Sequence, residues 1–386
     1  MSQDSLQQLA RNKLASLDSQ LLRRELVVTD RIAPGAGRRD SASLISFACN
    51  DYLGLSQHPD VIQASEAATR RLGVGAGASR LVTGNHSLYQ RLEAQLAKLK
   101  GTEDAVVFGS GYLTNIGTIP ALVAQPDLVI MDENCHACLH AGATLARSRV
   151  LTFKHNDVEH AAKLLHTHRA EHRYCLLLTE GVFSMDGDRA PIAALLKLAN
   201  AQDTWLMTDD AHGLGVVGDG RGSNVDAGTA LPVPLQMGTL SKAVGAYGGY
   251  LCTSRAVADL IRNRARSLIY STALPPGTVA AAAKALEIIA TDTALVRTPL
   301  KRARLFTDKL GLPAAQSSIV PLLLGSSERA LQASERLAKA GYLVVAIRPP
   351  TVPAGTARLR CTFSAAHRVV DVEDFANAAA KALAAL

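Results

Sequence analysis

The sequence predicts an α/β protein: a mostly parallel central sheet covered by helices, followed by a smaller C-terminal α+β domain. Three observations carry that prediction. From Ala105 to Ser254, short β-rich runs alternate with helix-like segments, the pattern of βαβ units. After Tyr270-Ser271-Thr272 the alternation gives way to long Ala-rich helices and a few strands. At 386 residues the chain exceeds one ordinary core, taking about 150 residues per domain. The predicted organisation is an N-terminal helix and arm over 1–44, a large α/β domain over 45–275 and a small α+β domain over 276–386.

The strand runs are AVVF, DLVIMD, RVLTF, YCLLLTE, WLMTDDAH, PLQMGTL and GGYLCTS. Continuous apolar runs of this length suit strands covered on both faces. Between them, HACLHAGATLA and APIAALLKLANAQ have helical apolar spacing. Downstream, helices are predicted around Thr278 to Ala290 and Leu295 to Leu310. A strand SIVPLLLG, a helix ERALQASERLAKAG, strands LVVAIRPP and ARLRCTFS and a final Ala-rich helix follow. The first 44 residues are expected to pack as a helix and extended arm on one lobe or on a partner subunit.

Composition narrows the function classes. Hydrophobic residues make up 48% and charged residues 19%, which suits a globular chain with a large core and excludes a disordered one. The opening MSQDSLQQLARNKLASLDSQ lacks the apolar stretch of a secretory signal, and no later run approaches membrane-spanning length, so a cytoplasmic location without membrane contact is expected. The formal charge of +7 is spread along the chain and aromatics are only 4%, which argues against nucleic acid and for anionic small molecules or an acidic carrier protein. Six cysteines sit mostly in apolar runs, as in a reducing compartment. Cys135 and Cys138 form a CxxC beside His136 and His140, but no second ligand pair at zinc-like spacing accompanies it, so no metal site is expected.

In open α/β sheets ligands bind beyond the carboxyl ends of the strands. Lys242 stands there, in GTLSKA, ahead of the flexible Gly245 to Gly249 run. A lysine becomes a nucleophile or Schiff-base partner only when burial or cationic neighbours remove its proton; on its own, such a loop lysine is more often a solvated charge. Asp209 and Asp210 end the strand before Ala211-His212. A carboxylate there can bind metal, act as a base, pair with a protonated ring nitrogen or cap a helix. At about 4 Å and an effective dielectric near 20, opposite charges attract by roughly 4 kcal/mol before desolvation. The run Phe108-Gly109-Ser110-Gly111-Tyr112 passes from strand into helix and offers free N–H groups to a phosphate, without Walker or GxGxxG spacing. His136, also just after a strand, could stack on a flat ring, bind metal or fill a loop.

Together these motifs resemble the α-oxoamine synthase family of fold-type-I pyridoxal-phosphate enzymes. The resemblance spans nearly the whole chain: FACNDYLGLSQHP (47 to 59), GAGASRLVTGNHSLYQRLE (75 to 93), TEGVFSMDGDRAP (179 to 191), TDDAHGLGVVGDGRG (208 to 222), GTLSKA (238 to 243), LIYSTALPP (268 to 276) and AIRPPTVPAGTARLR (346 to 360). It implies that the large domain binds pyridoxal 5'-phosphate, with Lys242 as its Schiff-base lysine, Asp209 on the pyridine nitrogen, His212 and Ser184 at the ring oxygen and His136 over the ring face. The phosphate would be held by Gly111, Tyr112 and Thr239, and by Ser271 or Thr272 of the neighbouring subunit in a homodimer with shared sites. Asn50, Arg23, Arg348, Thr351 and Arg360 match positions near substrate, where paired guanidinium donors suit carboxylates.

The last stretch, IRPPTVPAGTARLR, narrows the resemblance to the family member of biotin biosynthesis, an acyltransferase that condenses L-alanine with a pimeloyl thioester on acyl carrier protein or coenzyme A. Sister enzymes use glycine or serine with other thioesters, and one methyl group gives only about 1 to 3 kcal/mol of discrimination. A catalytically silent relative would be expected to lose the lysine, which is present. Two departures stand out. Cys138 replaces the usual serine of His-Ala-Ser, which explains the CxxC without a metal. At Thr83-Gly84-Asn85-His86 many relatives carry Ser-Gly-Tyr, which alters the expected acyl-chain wall.

Overall fold

Seven strands form the central sheet of the computed structural model, which describes residues 3–386. Across the sheet they run Asp104–Phe108, Gly249–Thr253, Leu235–Thr239, Trp205–Asp209, Cys175–Glu180, Leu128–Asp132 and Arg149–Phe153. All seven predicted runs are strands. Residues of Cys175–Glu180 and Leu128–Asp132 are buried throughout, which is why they read as unbroken apolar runs rather than alternating ones. Only Gly249–Thr253 runs antiparallel to its two neighbours. It follows Leu235–Thr239 after nine residues (240 to 248), too short for the crossover that a parallel partner needs. That short connection is the loop that carries Lys242.

Because the other strands are parallel, Phe108, Asp132, Glu180, Asp209 and Thr239 all end at one edge of the sheet. Helices cover both faces. One face packs Ile119, Leu139, Met207 and Met237; the other packs Tyr52, Leu92, Leu240 and Tyr250. Helix Pro276–Thr291 joins this second core through Val279, Ala282, Ala285 and Leu286, lying against Pro59–Leu72 and Ser87–Lys100. Its small side chains allow that close approach: a Cβ on Gly277 would lie 2.4 Å from Thr69 Oγ1. So the first helix after the expected boundary at 275 packs with the large lobe.

The C-terminal lobe has a three-stranded antiparallel sheet, Ile319–Gly325, Ala357–Thr362 and Val345–Ile347, with helices Thr293–Leu310, Ser327–Lys339 and Val369–Ala384. Its core is aromatic: Phe375 stacks between Phe47 and Phe306, with centroids 3.9 and 5.0 Å away. The N-terminal segment contains the expected helix, Gln3–Ser19, whereas Met1 and Ser2 of the predicted arm lie outside the described residues. Its later part is not a plain extended arm. Strands Asp30–Ala33, Ala36–Arg39 and Ala42–Ser46 form a meander that Tyr342–Leu343 extends in parallel. These strands are short and mostly exposed, so they carry little apolar periodicity, and the pairing partner lies some 300 residues away in sequence.

Candidate active site

Lys242 lies in the bend after Leu235–Thr239, with Nζ 2.6 Å from His212 Nε2. Burial lowers its ammonium to about 8, against the opposing pull of the Asp209 and Glu180 carboxylates. The lysine is thereby poised to lose a proton near neutrality. The loop is held tightly: Gly245, at φ +70, lies so close to Ser56 that a Cβ would come within 2.3 Å of its backbone nitrogen.

Asp209 ends its strand fully enclosed, with Oδ2 accepting from Asn115 Nδ2 at 2.8 Å and Oδ1 from the Ala211 N–H at 3.0 Å. Burial raises its carboxyl above the usual range, while Lys242 and the Asn115 bond work the other way. The neighbouring Asp210, which could have been a helix cap, instead forms a buried ion pair with Lys100 Nζ at 2.8 Å. Glu180, at the end of the adjacent strand, accepts from the N–H groups of His136 (2.5 Å) and Ser184 (3.3 Å). Burial, then the nearby Asp209, lifts its carboxyl to about 8.

His212 is buried and neutral; burial and then Lys242 depress its imidazolium. Its Nδ1 meets the Tyr52 hydroxyl at 2.7 Å. Tyr52 also reaches Asn50 Oδ1 at 3.1 Å, and Arg360 donates to both, Nη1 to Asn50 at 3.0 Å and Nη2 to Tyr52 at 3.3 Å. Arg360 Nε bonds the Ser184 carbonyl. Lys242, His212, Ser184, Asn50 and Arg360 are thus one connected group. Tyr52, Glu180 and Asn115 belong to it and escaped the reading of the sequence, although all three sit in or beside motifs singled out there.

At the head of helix Gly111–Leu122, Ser110 Oγ accepts from Leu113 N–H at 3.1 Å, while the N–H groups of Gly111 and Tyr112 have no carbonyl one turn back. A Cβ on Gly111 would lie 3.3 Å from Thr239 Cβ, so glycine brings the backbone against the threonine. Thr239 Oγ1 in turn bonds the Gly248 carbonyl at 2.7 Å and lies 3.2 Å from Ser241 Oγ. His136 caps helix Ala137–Ala146, its Nδ1 accepting from Cys138 N–H at 3.2 Å. Burial lowers its pKa, against Asp209, and its ring remains partly exposed. The Cys138 thiol accepts from Asn115 Nδ2 and is pushed up to about 12, chiefly by burial.

Other named residues lie apart from Lys242. Arg348 bonds the carbonyls of Leu21 and Arg23, the Arg23 side chain pairs with Asp18, and Thr351 Oγ1 accepts from Arg24. They join the N-terminal segment to the C-terminal lobe. Thr272 bridges to Ser79, next to Ser271 at the surface.

A half-buried lysine on the loop after one strand, a carboxylate ending the next and a glycine-lined helix start at the same sheet edge define a fold-type-I pyridoxal-phosphate enzyme. The model for aminotransferase class I and II matches residues 42–378, and the chain belongs to that family, in its α-oxoamine synthase branch. A putative 8-amino-7-oxononanoate synthase of Acidiphilium cryptum is 59% identical over 374 residues, 97% of each chain. The 8-amino-7-oxononanoate synthase of Granulibacter bethesdensis is 58% identical over 361 residues, 94% of each. Among solved structures, Sphingomonas wittichii serine palmitoyltransferase matches with TM-score 0.91 at 31% identity, covering 98% of this chain and 96% of that one. The 8-amino-7-oxononanoate synthase of Francisella tularensis matches with TM-score 0.74 at 24% identity over 88% and 97%, a likeness of fold.

The cofactor of the family fits this site. Its aldehyde needs an amine that can shed a proton, its ring nitrogen an oriented carboxylate and its phosphate free N–H donors beside a hydroxyl. Lys242, Asp209 and the Gly111–Thr239 cradle provide these in turn. Among the described residues no helix is long and apolar enough to cross a membrane.

Proposed function

We propose that this chain condenses L-alanine with a pimeloyl thioester to give 8-amino-7-oxononanoate, carbon dioxide and the free thiol, a step of biotin biosynthesis. The observation that carries this reading is the joining of Lys242, through His212 and Tyr52, to Arg360 of the IRPPTVPAGTARLR stretch. Relatives at 54–59% identity bear the corresponding name, whereas the serine palmitoyltransferases reach 28–31%.

Bound pyridoxal phosphate supplies an electron sink conjugated to the substrate's Cα. Lys242 would be the base that removes the Cα proton and the acid that returns one, a role suited to an amine poised near neutrality. Asp209, fixed by Asn115, would pair with the cofactor's ring nitrogen. His212 and Ser184 would hold the ring oxygen, and His136 would stack on the ring and orient the acyl donor. Gly111, Tyr112 and Thr239 anchor the phosphate, with Ser271 or Thr272 of a partner subunit completing it. Arg360 and Asn50 receive the amino-acid carboxylate; Arg23, Arg348 and Thr351, at the junction of the N-terminal segment, receive the distal pimeloyl carboxylate or the carrier.

A homodimer is supported by the exposed Leu81, Val82 and Tyr270, which flank the Ser79–Thr272 bridge. Six free cysteines suit a reducing cytoplasm. The acyl donor is carried by acyl carrier protein or coenzyme A, both anionic, and the net charge of +7 favours either. Thiol release with L-alanine, glycine and L-serine, each paired with pimeloyl-coenzyme A and pimeloyl-acyl carrier protein, tests the reading. Turnover confined to glycine or serine would assign the chain to a sister activity.

A further inference from the structure

The Tyr52 hydroxyl, fully buried, makes three hydrogen bonds, to His212 Nδ1 at 2.7 Å, Asn50 Oδ1 at 3.1 Å and Arg360 Nη2 at 3.3 Å, while the nearby Ser318 hydroxyl is not bonded to it. A phenol has one proton and two lone pairs, and the guanidinium can only donate, so Arg360 occupies one lone pair. Two arrangements remain. In one, Tyr52 donates to Asn50 Oδ1 and accepts from His212 Nδ1–H, leaving Nε2 bare. In the other, Tyr52 donates to a bare Nδ1 and Nε2 carries the proton. Asn50 Oδ1 keeps Arg360 Nη1 as a donor at 3.0 Å in either case, so neither arrangement strands a buried group.

The partner at Nε2 chooses between them. Lys242 Nζ stands there at 2.6 Å, and an ammonium has only donors, so it requires a bare Nε2. An acceptor oxygen in the same place requires Nε2–H. We propose that Tyr52 is a positioning residue whose hydroxyl turns from Asn50 to His212 when the cofactor's ring oxygen takes the place of Lys242, so that His212 changes tautomer. The protons balance: Lys242 passes one to Nε2 as its ammonium becomes the amine, Nδ1 releases one to water, and Tyr52 remains neutral while its O–H turns. The inference needs the cofactor only and is independent of the identity of the amino acid or thioester.

The test is NMR of protein labelled with [15N]histidine, cofactor-free and loaded with pyridoxal phosphate, with His212 assigned by its absence in His212→Asn. Wild type is expected to be Nδ1-protonated when free and Nε2-protonated when loaded. Tyr52→Phe should keep the Nδ1–H tautomer in the free protein, with its 15N shifts moved by loss of the acceptor, and should bind pyridoxal phosphate about ten- to a hundredfold more weakly in a fluorescence titration, because the loaded Nε2–H form loses the donor to Nδ1. Should Tyr52→Phe fail to fold, Asn50→Ala serves: with its acceptor gone, the Tyr52 hydroxyl competes with Lys242 for the bare nitrogen of His212, and the tautomer balance of the free protein should move towards Nε2–H relative to wild type. The same tautomer in both wild-type states, or a folded variant with wild-type His212 shifts, overturns the proposal.

Discussion

The Asn115 amide donates to Asp209 Oδ2 across 2.8 Å, so the helix whose first turn forms the anion cradle also aims the carboxylate at the heart of the site. One element thus sets two parts of the site in register. Replacing Asn115 with Ala removes a donor to a buried carboxylate, at a cost of about 1–3 kcal/mol. Pyridoxal phosphate affinity should fall roughly five- to a hundredfold, and the absorbance of the bound cofactor should shift, as read by titration of the cofactor-free variant. Wild-type affinity and spectrum would mean that Asp209 needs no such support.

Lys100 and Asp210 are paired with 1% and 0% of their side chains exposed, and Asp210 also accepts from Ser223 N–H at 3.0 Å. The site is too tight for water to take the lysine's place: a Cβ on Gly222 would lie 1.8 Å from Asp210 Oδ2. Lys100→Met leaves a buried carboxylate unpaired next to Asp209 and should cost about 3–5 kcal/mol. Urea unfolding of the variant beside wild type measures this; a loss below 1 kcal/mol would contradict it.

His155 bridges Asp132 at 3.0 Å and Asp188 at 2.8 Å. Burial disfavours the imidazolium, but the two carboxylates outweigh it and raise its pKa to about 10 from 6.5. The folded value lies above the unfolded one. The stabilisation is therefore full below about pH 6.5 and disappears as pH climbs towards 10. Unfolding free energies of wild type and His155→Asn should differ most at pH 6 and converge near pH 10. A gap that widens with pH would reverse the sign.

Most of the strands were legible in the sequence because both of their faces are covered, which turns each into an apolar run; the edge strand Arg149–Phe153 is mostly exposed and was legible from its β-rich composition alone. Lys242, Asp209, His212 and His136 were legible because each polar side chain follows such a run directly. Tyr52 and Asn115 were not: their partners His212 and Asp209 lie 160 and 94 residues away, and only the fold brings them together. Glu180 ends a strand just as Asp209 does and could have been found by that signal. The meander over residues 30–46 left no trace, because its strands are only four or five residues long, mostly exposed and short of apolar side chains.

The most direct test of the proposed activity uses purified wild type and Lys242→Ala with L-alanine and pimeloyl-coenzyme A, following thiol release and the appearance of 8-amino-7-oxononanoate by mass spectrometry. Wild type should form both products in equal amounts. Lys242→Ala should form neither, while keeping the wild-type fold by circular dichroism. Product from the folded Lys242→Ala variant at the wild-type rate, or none from wild type with pimeloyl-coenzyme A or, in a parallel reaction, with pimeloyl-acyl carrier protein, would contradict the account.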